Sequence, residues 1–150
     1  MWPKHPQQGT VHNFPDIFLY ENETPIKKLD EQSFLTQALT NKTIDFIEKN
    51  KDNPFFIYLP HPQPHVPLFV GKEFEGNQDR GLYGDVIHEI DYGVGQIMET
   101  LKKNDLEENT ILIFTSDNGP WLSYGGHSGS PGTVSYTTSD AADETCRVDL

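Results

Sequence analysis

Two short apolar runs, separated by one long helical pattern, limit most strongly the folds that this chain can adopt. The first run, FFIYL at residues 55–59, lies between Pro54 and Pro60, and the second, TILIFT, occupies residues 110–115. Short apolar runs bounded by turn residues are typical of strands that are covered on both faces of a sheet. We therefore predict two buried strands, joined by residues 60–109.

The connection between these strands contains an amphipathic helix, predicted from about Arg80 to Lys103. Its apolar side chains recur at intervals of three or four residues and define one face: Tyr83, Val86 or Ile87, Ile90, Val94, Ile97 and Leu101. Lys102 and Lys103 fall near the C-terminus of this helix, where the helix dipole favours positive charge. The pattern indicates a helix that packs along its whole length.

Polar residues and glycines of the same helix lead to two further expectations. His88, Glu89 and Asp91 lie off the apolar face, so we expect them to form a solvated surface. Gly93 and Gly95 in the sequence YGVGQ are expected to permit close packing against a neighbouring element.

A second helix is predicted nearer the N-terminus, from Ser33, which can cap it, to about Asn50. Its apolar positions roughly follow helical spacing: Leu35, Leu39, Ile44, Phe46 and Ile47. Residues 1–31 are rich in proline and are expected to be extended, with a hairpin or edge strand in the sequence IFLYENETPI.

The order of strand, helix and strand predicts a βαβ unit with two parallel strands. Parallel strands end at the same edge of a sheet, where open α/β sheets bind their ligands. The loop of residues 60–78, rich in proline and histidine, leaves the first strand at this edge, and Ser116-Asp117-Asn118-Gly119 leaves the second. The sequence therefore predicts an α/β fold, with a mostly parallel sheet flanked by helices and a polar site at one edge.

Several side chains near this edge are candidates for chemistry. Asp117 and Asn118 offer oxygen ligands suited to a hard cation such as calcium or magnesium, although Asp-Asn-Gly also forms turns. His61 and His65 lie on a loop stiffened by prolines, where each could bind a metal, donate to an anionic oxygen or simply be exposed. His127 could reach the same edge from a Gly/Ser-rich segment. Zinc is not expected, because no further Cys or His recurs at zinc-like spacing.

Composition excludes several classes of partner. The net charge of −12 and the pI of about 4.7 argue against binding to nucleic acid or to an anionic membrane. No apolar run approaches the roughly 20 residues that span a bilayer. The N-terminal sequence lacks the apolar region of a secretory signal and looks like loop sequence from within a domain. One cysteine, Cys146, excludes an internal disulfide and a cysteine-based metal cluster, so the compartment stays open.

Three segments taken together resemble the arylsulfatase family of the alkaline-phosphatase-like superfamily. They are NPFFIYLPHPQPHVPLFVGKEFEG, RGLYGDVIHEIDYGVGQIMETLKKNDLEENTILIFTSDNGPW and YGGHSGSPG. The resemblance covers residues 1–132, which we assign to an internal part of a sulfatase catalytic domain with an incomplete, partial alkaline-phosphatase-like fold. Residues 133–150 are polar and without periodicity, and we expect a divergent, disordered tail there.

The resemblance implies hydrolysis of sulfate esters, on a sulfated small molecule or glycan. In this family the nucleophile is a formylglycine made from the first residue of a Cys/Ser-x-Pro/Ala-x-Arg motif, and a divalent cation, usually calcium, assists. By resemblance, Asp117 and Asn118 are metal ligands, and His65 is the catalytic histidine that contacts the sulfate or the leaving group. The cation would neutralise the developing charge, and an imidazolium can stabilise the departing oxygen.

The chain departs from the family pattern in ways that affect the activity expected of it. Cys146 is followed by Arg147, Val148 and Asp149, which does not fit the formylglycine motif, and the upstream paired aspartates that would complete the metal site are absent. We therefore expect weak calcium affinity and no turnover by the chain alone. Two alternatives remain open, a phosphoester hydrolase of the same superfamily and a non-catalytic remnant.

Overall fold

A computed structural model describes residues 16–119, in which a hairpin precedes two packed helices. The elements are strands β1 (Phe18–Glu21) and β2 (Thr24–Lys28), helices α1 (Leu35–Asn50) and α2 (Gly81–Lys103), and a 3₁₀ turn at Glu107–Asn109. Helix α1 packs against α2, and the 3₁₀ turn also contacts α2. Within this range no helix is both long and apolar enough to cross a membrane.

Helix α2 has the bounds and the apolar face that its periodicity predicts. The buried apolar side chains on this helix are Val86, Ile90, Ile97 and Leu101, and Tyr83 and Val94 are half-buried. Val86 is completely buried whereas Ile87 is 41% exposed, so Val86 is the core residue of that pair. Lys102 and Lys103 lie in the last turn, as expected.

Two apolar clusters lie along α2. Near its N-terminal end, Val86 and Ile90 pack with four buried side chains of the preceding loop, Val66, Leu68, Val70 and Phe74. Further along, Ile97 and Leu101 pack with Ile47 of α1, and Phe55, Ile57 and Leu59 cover this second cluster. Helix α2 is therefore the element on which both the histidine-bearing loop and α1 are assembled.

The two helices approach most closely where Gly93 faces Thr40. A Cβ atom on Gly93 would lie 2.6 Å from the Thr40 Oγ1 atom, whereas nothing lies within 4 Å of a Cβ placed on Gly95. Thr40 is fully buried, and its hydroxyl donates to the Thr36 carbonyl at 3.0 Å. Close packing, which the sequence suggested for both glycines, therefore applies to Gly93 and not to Gly95.

This difference gives a matched pair of glycine substitutions. Gly93→Ala forces a methyl group against Thr40 and should destabilise the fold by about 1–3 kcal/mol, the usual cost of overpacking. Gly95→Ala adds a methyl group in open space and should be neutral or stabilising, by up to about 1 kcal/mol, because alanine favours helix. Urea denaturation followed by circular dichroism measures both, and equal shifts of the midpoint in the same direction would contradict this packing.

Helix α1 begins slightly later than predicted and without the expected cap. Its N-cap residue is Phe34, with no side-chain capping hydrogen bond. The predicted cap, Ser33, lies one residue before this position, and its backbone N–H donates to the Glu31 carboxylate at 2.6 Å. Leu35 and Ile47 are buried as predicted, whereas Phe46 is 42% exposed.

The hairpin predicted near the N-terminus is present. Strands β1 and β2 pair antiparallel, with Phe18 opposite Lys28 and a register shift between Leu19 and Tyr20. Asn22 in the connecting turn has a φ of 55°, a conformation that asparagine tolerates better than most residues. This hairpin is the only sheet among residues 16–119.

The two predicted buried strands are not part of a sheet in this range. In residues 55–59 exposure alternates, with Phe56 at 86% and Tyr58 at 79%, while the side chains between them pack on the cluster formed by Ile47, Ile97 and Leu101. In the second run every side chain from Ile111 to Thr115 is exposed, Ile111 at 89% and Ile113 at 80%. Strands covered on both faces are therefore not shown among residues 16–119, where no neighbouring strand pairs with these backbones.

Candidate functional site

The loop that carries the candidate histidines folds back on itself. The Gln63 side chain is buried; its Oε1 atom accepts the Phe69 N–H at 3.2 Å, and its Nε2 atom donates to the Pro67 carbonyl at 3.4 Å. The His65 N–H donates to the Pro62 carbonyl at 3.3 Å. These bonds satisfy backbone groups within the loop and hold the segment around His65 in one shape.

His65 has an exposed side chain whose ring contacts the backbone of the following residue. Its Nδ1 atom lies 2.7 Å from the Val66 carbonyl oxygen. Because a carbonyl oxygen only accepts, Nδ1 carries the hydrogen and donates, so that Nε2 is the basic nitrogen of the neutral ring. Val66 is 4% exposed, which ties the orientation of the imidazole to the buried part of the loop.

His61 is in a different environment from His65. It is half-buried, and its Nδ1 atom is buried without a hydrogen-bond partner in the described part of the chain. Burial lowers the pKa of the His61 imidazole, which favours the neutral ring. His61 is therefore the less suitable of the two to donate to an anion.

This environment predicts a pH dependence of stability. Because the pKa of His61 is lower in the folded state than its unfolded value of about 6.5, the unfolded chain binds a proton at this residue more readily than the folded chain. The unfolding free energy should therefore be independent of this proton above about pH 6.5 and should fall as the pH drops below that value. Relative to His61→Gln, the unmodified chain should lose unfolding free energy between pH 7 and pH 5. Urea midpoints of both proteins across this range measure the effect; a constant difference would contradict the assignment.

Asp117 and Asn118 lie together on an exposed turn. The Asn118 Nδ2 atom donates to Asp117 Oδ2 at 2.8 Å, and the Ser116 hydroxyl donates to the Asn118 carbonyl at 2.8 Å. Residues 16–119 contain no group of three or more His, Cys, Asp or Glu side chains that could hold a metal ion. Within this range, therefore, the side chains of Asp117 and Asn118 are in contact, but no group of His, Cys, Asp and Glu side chains completes a metal site around them.

The donor set fits a hard cation in part. A carboxylate and an amide oxygen are the ligand types that calcium prefers, but calcium takes about six to eight oxygens. Asp117 and Asn118 can supply only a minority of these. The other candidate, His127, lies outside the described residues, as does Cys146.

Two buried carboxylates of α2 form a feature that the sequence did not reveal. Glu89, expected in solvent, is completely buried, and Asp85 is 2% exposed. Glu89 Oε2 accepts the Gly71 N–H at 2.9 Å, and Asp85 accepts the N–H groups of Gly76 and Gln78, both at 2.9 Å. The solvated face was therefore predicted wrongly at Glu89, because the loop around Gly71 covers this side chain.

The sequence spacing of Asp85 and Glu89 could have indicated that these two carboxylates lie together. Asp85 and Glu89 are four residues apart, so they occupy one side of the helix, next to Val86 and Ile90 of the apolar face. Asp91 is exposed as expected. His88 is half-buried, and its ring packs edge-on against the ring of Phe74, with 5.5 Å between the two ring centroids.

Comparison with known sequences identifies the family. The Sulfatase family model matches residues 3–144. An arylsulfatase from Hemicentrotus pulcherrimus is 37% identical over 119 residues, which are 77% of this chain and 22% of that protein. An N-acetylgalactosamine-6-O-sulfatase from Bacteroides thetaiotaomicron is 44% identical over 91 residues, 61% of this chain and 18% of that protein. The chain therefore spans about a fifth of the length of the curated relatives it matches.

Solved structures agree with this assignment. A sulfatase structure from work on the metabolism of multiple glycosaminoglycans by Bacteroides thetaiotaomicron is 43% identical, with a TM-score of 0.57 over 59% of this chain and 18% of that one. The crystal structure of i-CgsB in complex with k-i-k-neocarrahexaose is 37% identical, with a TM-score of 0.58 over 69% of this chain and 24% of that one. The helices and loops described above thus have the α/β arrangement of sulfatase structures, and the chain belongs to the sulfatase family.

Proposed function

We propose that this chain is a segment of a sulfuric ester hydrolase in which Asp117 and Asn118 bind a divalent cation, calcium, and His65 acts on the sulfate ester. The observation that carries the proposal is the family match over residues 3–144, which includes both the histidine loop and the Asp-Asn turn. Relatives named as arylsulfatase and as N-acetylgalactosamine-6-O-sulfatase support a sulfated small molecule or glycan as the substrate.

Each of these residues suits its proposed role. When bound, a divalent cation supplies positive charge that neutralises the oxygens of a sulfate group. Asp117 would contribute a carboxylate to it and Asn118 a carbonyl oxygen, after its amide turns away from Asp117. The Nδ1 contact of His65 with Val66 directs proton transfer to Nε2, from which an imidazolium can donate to the departing oxygen.

The nucleophile has to come from another polypeptide segment. The 150 residues contain no Cys/Ser-x-Pro/Ala-x-Arg sequence, so a formylglycine cannot form within them. A mechanism that forms a covalent intermediate cannot proceed without the nucleophile. The other site residues contribute to catalysis only together with that nucleophile. The isolated chain should therefore not hydrolyse sulfate esters.

The mostly parallel sheet also belongs to this proposal. Residues 55–59 present Phe56 and Tyr58 outward, and residues 111–114 expose four apolar side chains in succession. Neighbouring strands supplied by the rest of a sulfatase domain would cover these side chains and pair their backbones. The His65 loop and the Asp117 turn would then leave the sheet at one edge.

A chimeric enzyme tests the proposal. Residues 16–119 would replace the homologous segment of the Hemicentrotus pulcherrimus arylsulfatase, which shares 37% identity over 119 residues. We expect the chimera to hydrolyse an aryl sulfate and to discriminate against the corresponding aryl phosphate, while the isolated chain hydrolyses neither. A folded chimera that prefers the phosphate, or an active isolated chain, would overturn the proposal.

A further inference from the structure

The buried carboxylates of α2 have no cationic partner in the described part of the chain. The ion pairs found there involve Lys28, Lys42 and Lys103, all at exposed positions and none with Asp85 or Glu89. A buried carboxylate without a counter-ion is costly unless hydrogen bonds satisfy it. Asp85 accepts two backbone N–H groups of the loop and Glu89 Oε2 accepts one, whereas Glu89 Oε1 is buried without a hydrogen-bond partner in the described part of the chain. The burial of both carboxylates therefore depends on these loop N–H groups being in place.

Glu89 lies where three elements meet. It projects from α2, accepts the Gly71 N–H from the loop, and is faced by the Gln37 side chain of α1, which together with that N–H acts to lower its pKa. Burial acts in the opposite direction and prevails, so the pKa of Glu89 is raised. A Cβ on Gly71 would lie 3.0 Å from Glu89 Oε1, so the backbone and the carboxylate are in close contact.

The same loop segment continues into His65 through buried residues. Between Gly71 and His65, the side chains of Val66, Leu68 and Val70 are buried in the cluster with Val86 and Ile90. The His65 ring is in turn held by the Val66 carbonyl. A displacement of Gly71 from α2 would therefore move the packed segment that sets the orientation of His65.

We propose that Asp85 and Glu89 are positioning residues that clamp residues 71–78 onto α2 and thereby fix the His65 imidazole relative to the helix. The clamp is a property of the fold, and its relevance to sulfate ester hydrolysis rests on the function proposed for His65. The two carboxylates bind different parts of the loop. Asp85 binds its C-terminal end, at Gly76 and Gln78, and Glu89 binds Gly71, which is nearer to His65.

Nuclear magnetic resonance of the full chain tests the clamp without substrate or metal. Glu89→Met keeps the side-chain length but removes the acceptor, and Glu89→Gln keeps one acceptor oxygen. In Glu89→Met, hydrogen exchange of the Gly71 amide should accelerate by about tenfold or more, the loss expected for one buried charge-assisted hydrogen bond, and the His65 ring signals should shift. Glu89→Gln should restore both signals, and Glu99→Met, at an exposed glutamate of α2, should change neither.

Unchanged Gly71 exchange and unchanged His65 signals in Glu89→Met would overturn the proposal. If that variant loses helical protection throughout, Gly71→Ala decides instead, because its methyl group lies 3.0 Å from Glu89 Oε1 and forces the loop and the carboxylate apart while the acceptor remains. The His65 signals should then shift with α1 and α2 still protected, and unshifted signals would refute the clamp.

The chimeric arylsulfatase separates this inference from the proposed function. Loss of kcat/KM in Glu89→Met, recovered in Glu89→Gln, would support both the clamp and the role of His65. If Glu89→Met shifts the His65 signals in the chain but leaves the activity of the chimera unchanged, the clamp would be supported and the catalytic role of His65 refuted.

Discussion

Replacing Asp117 with alanine in the chimeric arylsulfatase is expected to lower kcat/KM for an aryl sulfate by about 10²–10³-fold, the range seen when one group that stabilises developing charge is removed. The carboxylate is the charged member of the proposed ligand pair, so its loss removes the strongest contribution of this chain to cation binding. Asn118→Ala, which removes a neutral oxygen, should have a smaller effect. Initial rates at saturating and limiting substrate measure both.

The matched control for Asp117 is Asp52→Ala, which removes an exposed aspartate from the turn after α1. It should leave kcat/KM within a factor of about two, because exposed substitutions away from a site have little effect. After treatment with a chelator, the chimera should regain activity with added calcium, and Asp117→Ala should require a higher calcium concentration. Equal activity and equal calcium dependence in Asp117→Ala and the unmodified chimera would contradict the ligand assignment.

The position of Asp117 illustrates which part of the candidate site is a local feature of the sequence. The apolar run before it and the Asp-Asn-Gly sequence are local features, and the structure does place the two side chains in contact on a turn. The remaining ligands of a cation are not local, because they come from other segments of a fold. The residues alone therefore indicate a ligand pair and cannot supply a coordination sphere.

The fold likewise has features that follow from local sequence and features that depend on distant segments. The bounds and the buried face of α2 follow from a repeat that is complete within the helix, so Val86, Ile90 and Ile97 could be assigned without knowledge of their partners. Glu89 lies beside that face, and whether it is solvated depends on the Gly71 amide, which comes from a distant loop. A periodic pattern defines which residues share a face but not which polar groups of another segment cover its border.

The largest effect on stability is expected at Ile47, the most completely buried apolar side chain of α1. It is 1% exposed and packs with Ile97 and Leu101 of α2. Ile47→Ala should lower the unfolding free energy of the chain by about 2–5 kcal/mol, through lost apolar contact and the cavity left between the helices. Urea denaturation monitored by circular dichroism measures this loss.

Ile111→Ala is the matched control, since it makes the same chemical change at a side chain that is 89% exposed. In the isolated chain it should change the unfolding free energy by less than about 0.5 kcal/mol. A cost near that of Ile47→Ala in the isolated chain would mean that the run of residues 111–114 is covered, and a midpoint that rises with protein concentration would identify self-association as the cause.

The same two substitutions in the chimera test the proposed sheet. If strands of the host enzyme cover residues 111–114, Ile111 becomes a core residue and its replacement by alanine should then cost about as much as at Ile47, in the range of about 2–5 kcal/mol. Within the described residues Ile47 packs with side chains of α1, α2 and the segments next to them, so the cost of Ile47→Ala should be similar in both proteins. A small effect of Ile111→Ala in a folded, active chimera would show that this run stays exposed, and Asp117 would then reach the site from a surface turn rather than from the end of a buried strand.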